Sequence, residues 1–107
     1  MKIGLISDTH DNIQNIQKAI VSFNNKNVRV VIHAGDIVSP ETVEAFGGMK
    51  LIGVLGNNDL EIHELTHAFD KIGGQLKGEF CEIKQDNLIF AVYHGIKKSI
   101  INTMWQI

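Results

Sequence analysis

A chain of 107 residues, 44% hydrophobic and 21% charged, has the balance of an ordinary globular protein and the length for one domain. Its formal net charge of −2 argues against a nucleic-acid partner, which a basic surplus would serve. It leaves room for a small phosphorylated substrate held by a cation. The single cysteine, Cys81, makes no internal disulfide, fits a reducing compartment, and reads as a small buried hydrophobe in a strand. The apolar run Ile3 to Ile6 is too short for a signal peptide or a membrane span, so a cytoplasmic protein without membrane association is expected.

Lys2 to Ser7 predicts a short buried strand that runs into the polar turn Asp8-Thr9-His10-Asp11. Asn12 suits a helix N-cap. Ile13, Ile16, Ile20 and Phe23 recur at helical spacing and predict an amphipathic helix from Ile13 to Asn25. Val28 to Ala34, rich in β-branched residues, predicts a second buried strand ending at Gly35-Asp36. Ser39-Pro40-Glu41 starts a short helix that stops at Gly47-Gly48. Leu51 to Leu55 predicts a third strand, entering Gly56-Asn57-Asn58-Asp59. Ile62, Leu65, Phe69 and Ile72 mark another helix, closed by Gly73-Gly74. A hairpin follows, with strands Glu79 to Lys84 and Leu88 to Tyr93 about a turn at Gln85-Asp86-Asn87. Lys97 to Ile107 is weakly amphipathic and predicts a final helix. This alternation implies an α/β fold with right-handed crossovers and a parallel sheet.

Four predicted strands end in residues suited to metal binding: Asp8 and His10, Asp36, Asn57, and His94. In an open α/β sheet the carboxyl ends of the strands are where ligands bind. Carboxylate, imidazole and amide oxygen together suit divalent ions such as Mn²⁺, Ni²⁺, Fe²⁺ or Zn²⁺, and the lack of thiolates argues against a structural zinc site. In Asp8-Thr9-His10, alternate residues of an extended turn project to one side, so both side chains can reach one ion. A carboxylate such as Asp36 can bridge two ions, which would lower the pKa of a shared water and hold a phosphate in line for attack. The plain alternative is that Asp, Asn and Gly stand here as turn formers. Four separate polar strand ends in so small a chain exceed what turn chemistry alone requires.

The segments Ile6-Ser7-Asp8-Thr9-His10, His33-Ala34-Gly35-Asp36, Gly56-Asn57-Asn58-Asp59 and Tyr93-His94-Gly95 resemble, in order, the signature blocks of the calcineurin-like metallophosphoesterases. The small single-domain YfcE-type phosphodiesterases are the nearest match in pattern. The resemblance implies an α/β/β/α sandwich, C-terminally incomplete, with residues 1–107 as a single domain corresponding to the N-terminal two-thirds of the family fold. It implies two divalent ions, Mn²⁺ foremost. Asp8 and His10 would bind the first, Asp36 would bridge both, and Asn57 and His94 would bind the second. A hydroxide between the ions would hydrolyse a phosphodiester, or a monoester as the lesser substrate. His33 is read as packing rather than ligation.

Two departures from the family pattern matter. Many members carry histidine where this chain has Asn58, and an amide is no general acid at neutral pH. Asn58 can still donate a hydrogen bond to a phosphoryl oxygen, so a bias toward good leaving groups is expected. Asp59, which would orient that histidine, is expected to cap the following helix. Members also finish the site with a Gly-His-Thr-His block, for which the five histidines of this sequence, His10, His33, His63, His67 and His94, provide no match. Each ion would lose one imidazole, and the second sheet would keep an open edge suited to pairing with another copy. A catalytically impaired fragment or a scaffold of the same fold is therefore the second reading. A third is a zinc peptidase, since His63-Glu64-Leu65-Thr66-His67 matches H-E-x-x-H on a predicted helix. It lacks an evident third ligand, for which Glu79 and Glu82 in the hairpin are the candidates.

Overall fold

In this computed structural model the described residues are 3–7, 9–10, 12–85 and 88–94. The strand–helix alternation folds as β1 (Ile3–Ile6), α1 (Ile13–Asn25), β2 (Val30–His33), α2 (Pro40–Ala45), β3 (Lys50–Gly53), α3 (Ile62–Ile72) and β4 (Gln75–Leu76). These four strands form one parallel sheet in the order β1-β2-β3-β4. A hairpin, β5 (Phe80–Gln85) and β6 (Leu88–Tyr93), forms a second, antiparallel sheet.

The strand order decides the layering. When parallel neighbours follow one another without a reversal, right-handed crossovers put every helix on the same face. Accordingly one cluster of buried residues joins Ile16 of α1, Val43 of α2, and Leu65, Ala68 and Phe69 of α3 to Val31 and Leu51 of the sheet. Strand residues one position along point the other way. Ile32 packs with Val54, Cys81 and Val92 against the hairpin. The described residues thus form three layers: helices, parallel sheet and hairpin. The final helix expected over Lys97 to Ile107, and with it the fourth layer, lies outside them.

Local signals set the ends of the elements. The Asn12 side chain accepts from the Asn15 amide at 3.2 Å, capping α1 as its sequence predicts. Pro40 opens α2, and Gly73 closes α3 with φ 75°, the left-handed cap that glycine adopts without a Cβ clash. β2 and β3 are shorter than expected, whereas the hairpin strands have the expected length of six residues. Beyond the strand ends, Ala34 N still donates to Ile6 O at 2.8 Å and Val54 N to His33 O at 3.0 Å. The two-residue β4 was outside the expected set, being too short to show a pattern.

Candidate metal centre

The turn after β2 departs furthest from ordinary backbone. Gly35, Asp36 and Val38 have φ of 110°, 59° and 76°. A left-handed conformation is costly for a non-glycine residue, most of all for a β-branched one. The Asp59 carboxylate holds it in place. Its Oδ2 accepts from Asp36 N at 2.9 Å and Gly56 N at 2.7 Å, and its Oδ1 from Val38 N at 2.6 Å. Asp59 is 5% exposed, so these are charge-assisted bonds sheltered from water. The expectation that it caps α3 is corrected: Glu61 occupies that position, with no side-chain cap bond. Asp59 instead ties the turn after β2 to the turn after β3.

Those ties place Asp36. Its side chain is 3% exposed; Oδ1 accepts from Asn58 N at 2.9 Å and Oδ2 from Asn58 Nδ2 at 3.0 Å. Oδ2 also lies 3.4 Å from His10 Nε2 and 3.5 Å from His94 Nε2. Both adjacent glycines are required by this closeness. A Cβ on Gly56 would run into the Asp36 carboxylate, and one on Gly35 would sit 2.6 Å from His94 Nδ1.

His94, just past β6, contributes the most informative geometry. Its Nδ1 lies 2.9 Å from the Ala34 carbonyl, which only accepts, so Nδ1 carries the proton. In the neutral ring Nε2 then presents a lone pair, and it faces Asn57 Oδ1 at 3.0 Å and Asp36 Oδ2 at 3.5 Å. A ring nitrogen and two side-chain oxygens thus converge on one point, a donor set suited to a divalent cation. An imidazole that donates its other N–H to a backbone carbonyl is the usual attitude of a metal-ligating histidine.

His10 is reached differently from what the sequence suggests. Its φ of 43° makes the turn after β1 tight rather than extended, and Asn12 N closes that turn on Thr9 O at 2.9 Å. A residue in the left-handed region breaks the alternation of an extended strand, so the geometric argument for His10 and Asp8 sharing an ion does not hold in that form. Asp8 itself lies outside the described residues. His33 is fully buried, as expected, but it does more than pack: Gly35 N donates to its Nδ1 at 3.2 Å, and its Nε2 lies 3.1 Å from Thr9 Oγ1.

The structure thus brings four of the five expected ligands, His10, Asp36, Asn57 and His94, to one place at the carboxyl ends of the strands. His10 Nε2 and His94 Nε2 lie 3.4 and 3.5 Å from Asp36 Oδ2, and Asn57 Oδ1 lies 3.0 Å from His94 Nε2. Among the described residues no three His, Cys, Asp or Glu side chains are grouped so as to hold a metal as they stand. What fits a metal is the chemistry of the donors, two imidazoles, a buried carboxylate and an amide oxygen, together with the orientation of His94. Asn58 directs its amide at Asp36, which occupies one of its two side-chain hydrogens.

The rival motif fares differently. His63, Glu64 and His67 lie on the exposed face of α3, opposite Leu65, Ala68 and Phe69. Glu82 is exposed and Glu79 half-buried, and neither groups with the two imidazoles among the described residues. No helix among the described residues is long and apolar enough to cross a membrane.

Comparison with known proteins places the fold. Residues 1–105 match the model of the calcineurin-like phosphoesterase superfamily domain. Phosphodiesterase MJ0936 of Methanocaldococcus jannaschii is 39% identical over 104 residues, covering 94% of this chain and 63% of that protein. The structure of an archaeal phosphodiesterase superposes with a TM-score of 0.90 at 37% identity, covering 99% of this chain and 66% of the other. The Escherichia coli phosphoesterase Yfce shares the fold at a TM-score of 0.71 and 16% identity, with 90% of this chain and 58% of that one covered. The chain therefore spans just under two-thirds of the length of the relatives it matches. With the family model covering nearly every residue, the chain belongs to the calcineurin-like phosphoesterase superfamily.

Proposed function

We propose that this chain supplies most of the site of a divalent-metal-dependent phosphoesterase, with a phosphodiester as its preferred substrate and a monoester as the lesser one. The observation that carries the reading is the convergence of His94 Nε2 with Asn57 Oδ1 at 3.0 Å and Asp36 Oδ2 at 3.5 Å, while His94 Nδ1 is engaged by the Ala34 carbonyl. Asp36 would bridge two ions, His10 and Asp8 would hold the first, and Asn57 and His94 the second. Mn²⁺ is the leading candidate, with Ni²⁺, Fe²⁺ and Zn²⁺ suited to the same donors. When bound, such ions make a water acidic enough to attack phosphorus and offset the charge gathering on the phosphoryl oxygens.

The chain's own residues account for the rest. Asp59 keeps Asp36 and Asn57 in register by holding the turns that carry them. The second side-chain hydrogen of Asn58 is available to a phosphoryl oxygen. No imidazole occupies position 58 to protonate a leaving group, so esters of acidic alcohols and phenols should turn over best. A small phosphorylated molecule of the cytoplasm fits this reading.

The test is Mn²⁺ binding by calorimetry together with hydrolysis of an aryl phosphodiester. We expect Asp36→Asn to abolish both, and chelation to abolish hydrolysis. Turnover that survives chelation and Asp36→Asn would sink the proposal. One second reading follows from Asn58, which places no imidazole beside the leaving group: a metal-binding member that is catalytically weak or serves as a scaffold. Mn²⁺ bound at full stoichiometry without hydrolysis would select it.

A further inference from the structure

His33 has no part in the proposed chemistry, yet it occupies a connecting position. It ends β2, is fully buried, and lies against a turn 24 residues earlier in the chain. A buried imidazole needs partners for both ring nitrogens, and those of His33 lie in two different turns.

Its two ring nitrogens have distinct assignments. The Gly35 amide can only donate, so Nδ1, 3.2 Å away, accepts. The neutral ring then carries its hydrogen on Nε2, and the group 3.1 Å from Nε2 is the Thr9 hydroxyl, which accepts it. Thr9 immediately precedes His10. Two other bonds locate the same turn: Asn12 N to Thr9 O at 2.9 Å, and the longer His10 N to Asp36 O at 3.4 Å. His33 thus reads the backbone of the turn after β2 with one nitrogen and the side chain of the turn after β1 with the other.

We propose that His33 is a positioning residue: as its Nε2–H tautomer it fixes Thr9, and through Thr9 the left-handed turn that presents His10 to Asp36. Its consequence for metal affinity rests on the reading of His10 as a ligand. The tie itself does not. Removing a hydrogen bond made directly to a metal-ligating side chain typically alters metal affinity by about 10–100-fold, and a tie acting through the neighbouring Thr9 falls at the low end of that range.

The experiment compares two conservative pairs in the full chain. Thr9→Val removes the hydroxyl at constant shape, and Thr9→Ser restores it. His33→Gln keeps a donor near the Nε2 position, and His33→Asn keeps only an acceptor near Nδ1. Two quantities are read: hydrogen exchange of the His10 amide in metal-free protein, and affinity for Mn²⁺ alone. We expect Thr9→Val and His33→Asn to speed exchange at His10 and weaken Mn²⁺ binding by about 10-fold or more, with Thr9→Ser and His33→Gln close to the parent. Equal exchange and equal affinity in Thr9→Val and Thr9→Ser, both folded, would overturn the proposal without reference to the bulkier His33 changes. A parent chain that binds no Mn²⁺ would overturn the ligand reading of His10 instead. The exchange rates would then decide the tie by themselves, faster in Thr9→Val supporting it and unchanged rates refuting it.

Discussion

The two faces of the parallel sheet are covered very differently. On the helix face the described residues include eleven buried side chains in one cluster, with Phe46 and Phe69 at 0% exposure. On the hairpin face the corresponding cluster has four among the described residues, while Leu5 of β1 remains 73% exposed. The site draws on both. Asp36, Asn57 and Asp59 stand on turns anchored to the thick side, whereas His94 arrives from the thin one. Stability and ligation are therefore separable: the helix face holds the fold, and the hairpin face delivers a ligand.

The sharpest way to break that contrast is to remove a ring from the thick side. Phe69→Ala should cost about 3–5 kcal/mol and lower the denaturant midpoint for the whole chain, because the helix layer cannot collapse onto the cavity. Next comes the tie beneath the site. Asp59→Asn replaces one acceptor oxygen by an amide donor that faces backbone N–H groups, and should cost about 1–3 kcal/mol in urea unfolding. It should also weaken Mn²⁺ binding, since Asp36 loses its support. On the thin side Val92→Ala should cost only about 1–2 kcal/mol, yet reduce Mn²⁺ affinity more than its stability loss suggests, by loosening the strand that carries His94. Equal proportional effects from Phe69→Ala and Val92→Ala on stability and affinity would show that the two faces are not separable.

The smallest expected effect concerns Cys81, in the thin cluster. Burial raises its thiol pKa, with nearby Lys77 pulling the other way. The folded chain holds that proton more tightly than the unfolded chain does. The resulting stability is present in full below the unfolded thiol's pKa and is lost as pH rises through the folded one. Alkaline unfolding should therefore be slightly shallower in Cys81→Ala. Iodoacetamide should label native Cys81 far more slowly than the urea-unfolded chain.

Much of the fold was legible in the residues, and so was the meeting of four polar strand ends. Helical spacing, the Asn12 cap and the Gly73 stop are local signals, and each appears where its chemistry predicts. Strand-end polarity likewise pointed to His10, Asp36, Asn57 and His94. What stayed hidden was non-local. Asp59 reads as a turn former or a helix cap, and nothing nearby reveals bonds to amides 21 and 23 residues away. His33 reads as an apolar-strand residue until Thr9 is brought against it. The left-handed backbone at His10 is imposed by a turn that closes on its own neighbours and on Asp36, which strand alternation does not encode.

The sequential strand order has a consequence for how the molecule comes into being. Each strand of the parallel sheet pairs with its predecessor in the chain, so the sheet can grow one unit at a time as the polypeptide leaves the ribosome, with short loops to close at every step. His94 is the exception. Its bond to the Ala34 carbonyl spans 60 residues and forms only after the hairpin has docked on a finished sheet. The ligand contributed by the hairpin is thus seated after those on the sheet, and metal capture at this site would report that the hairpin has docked.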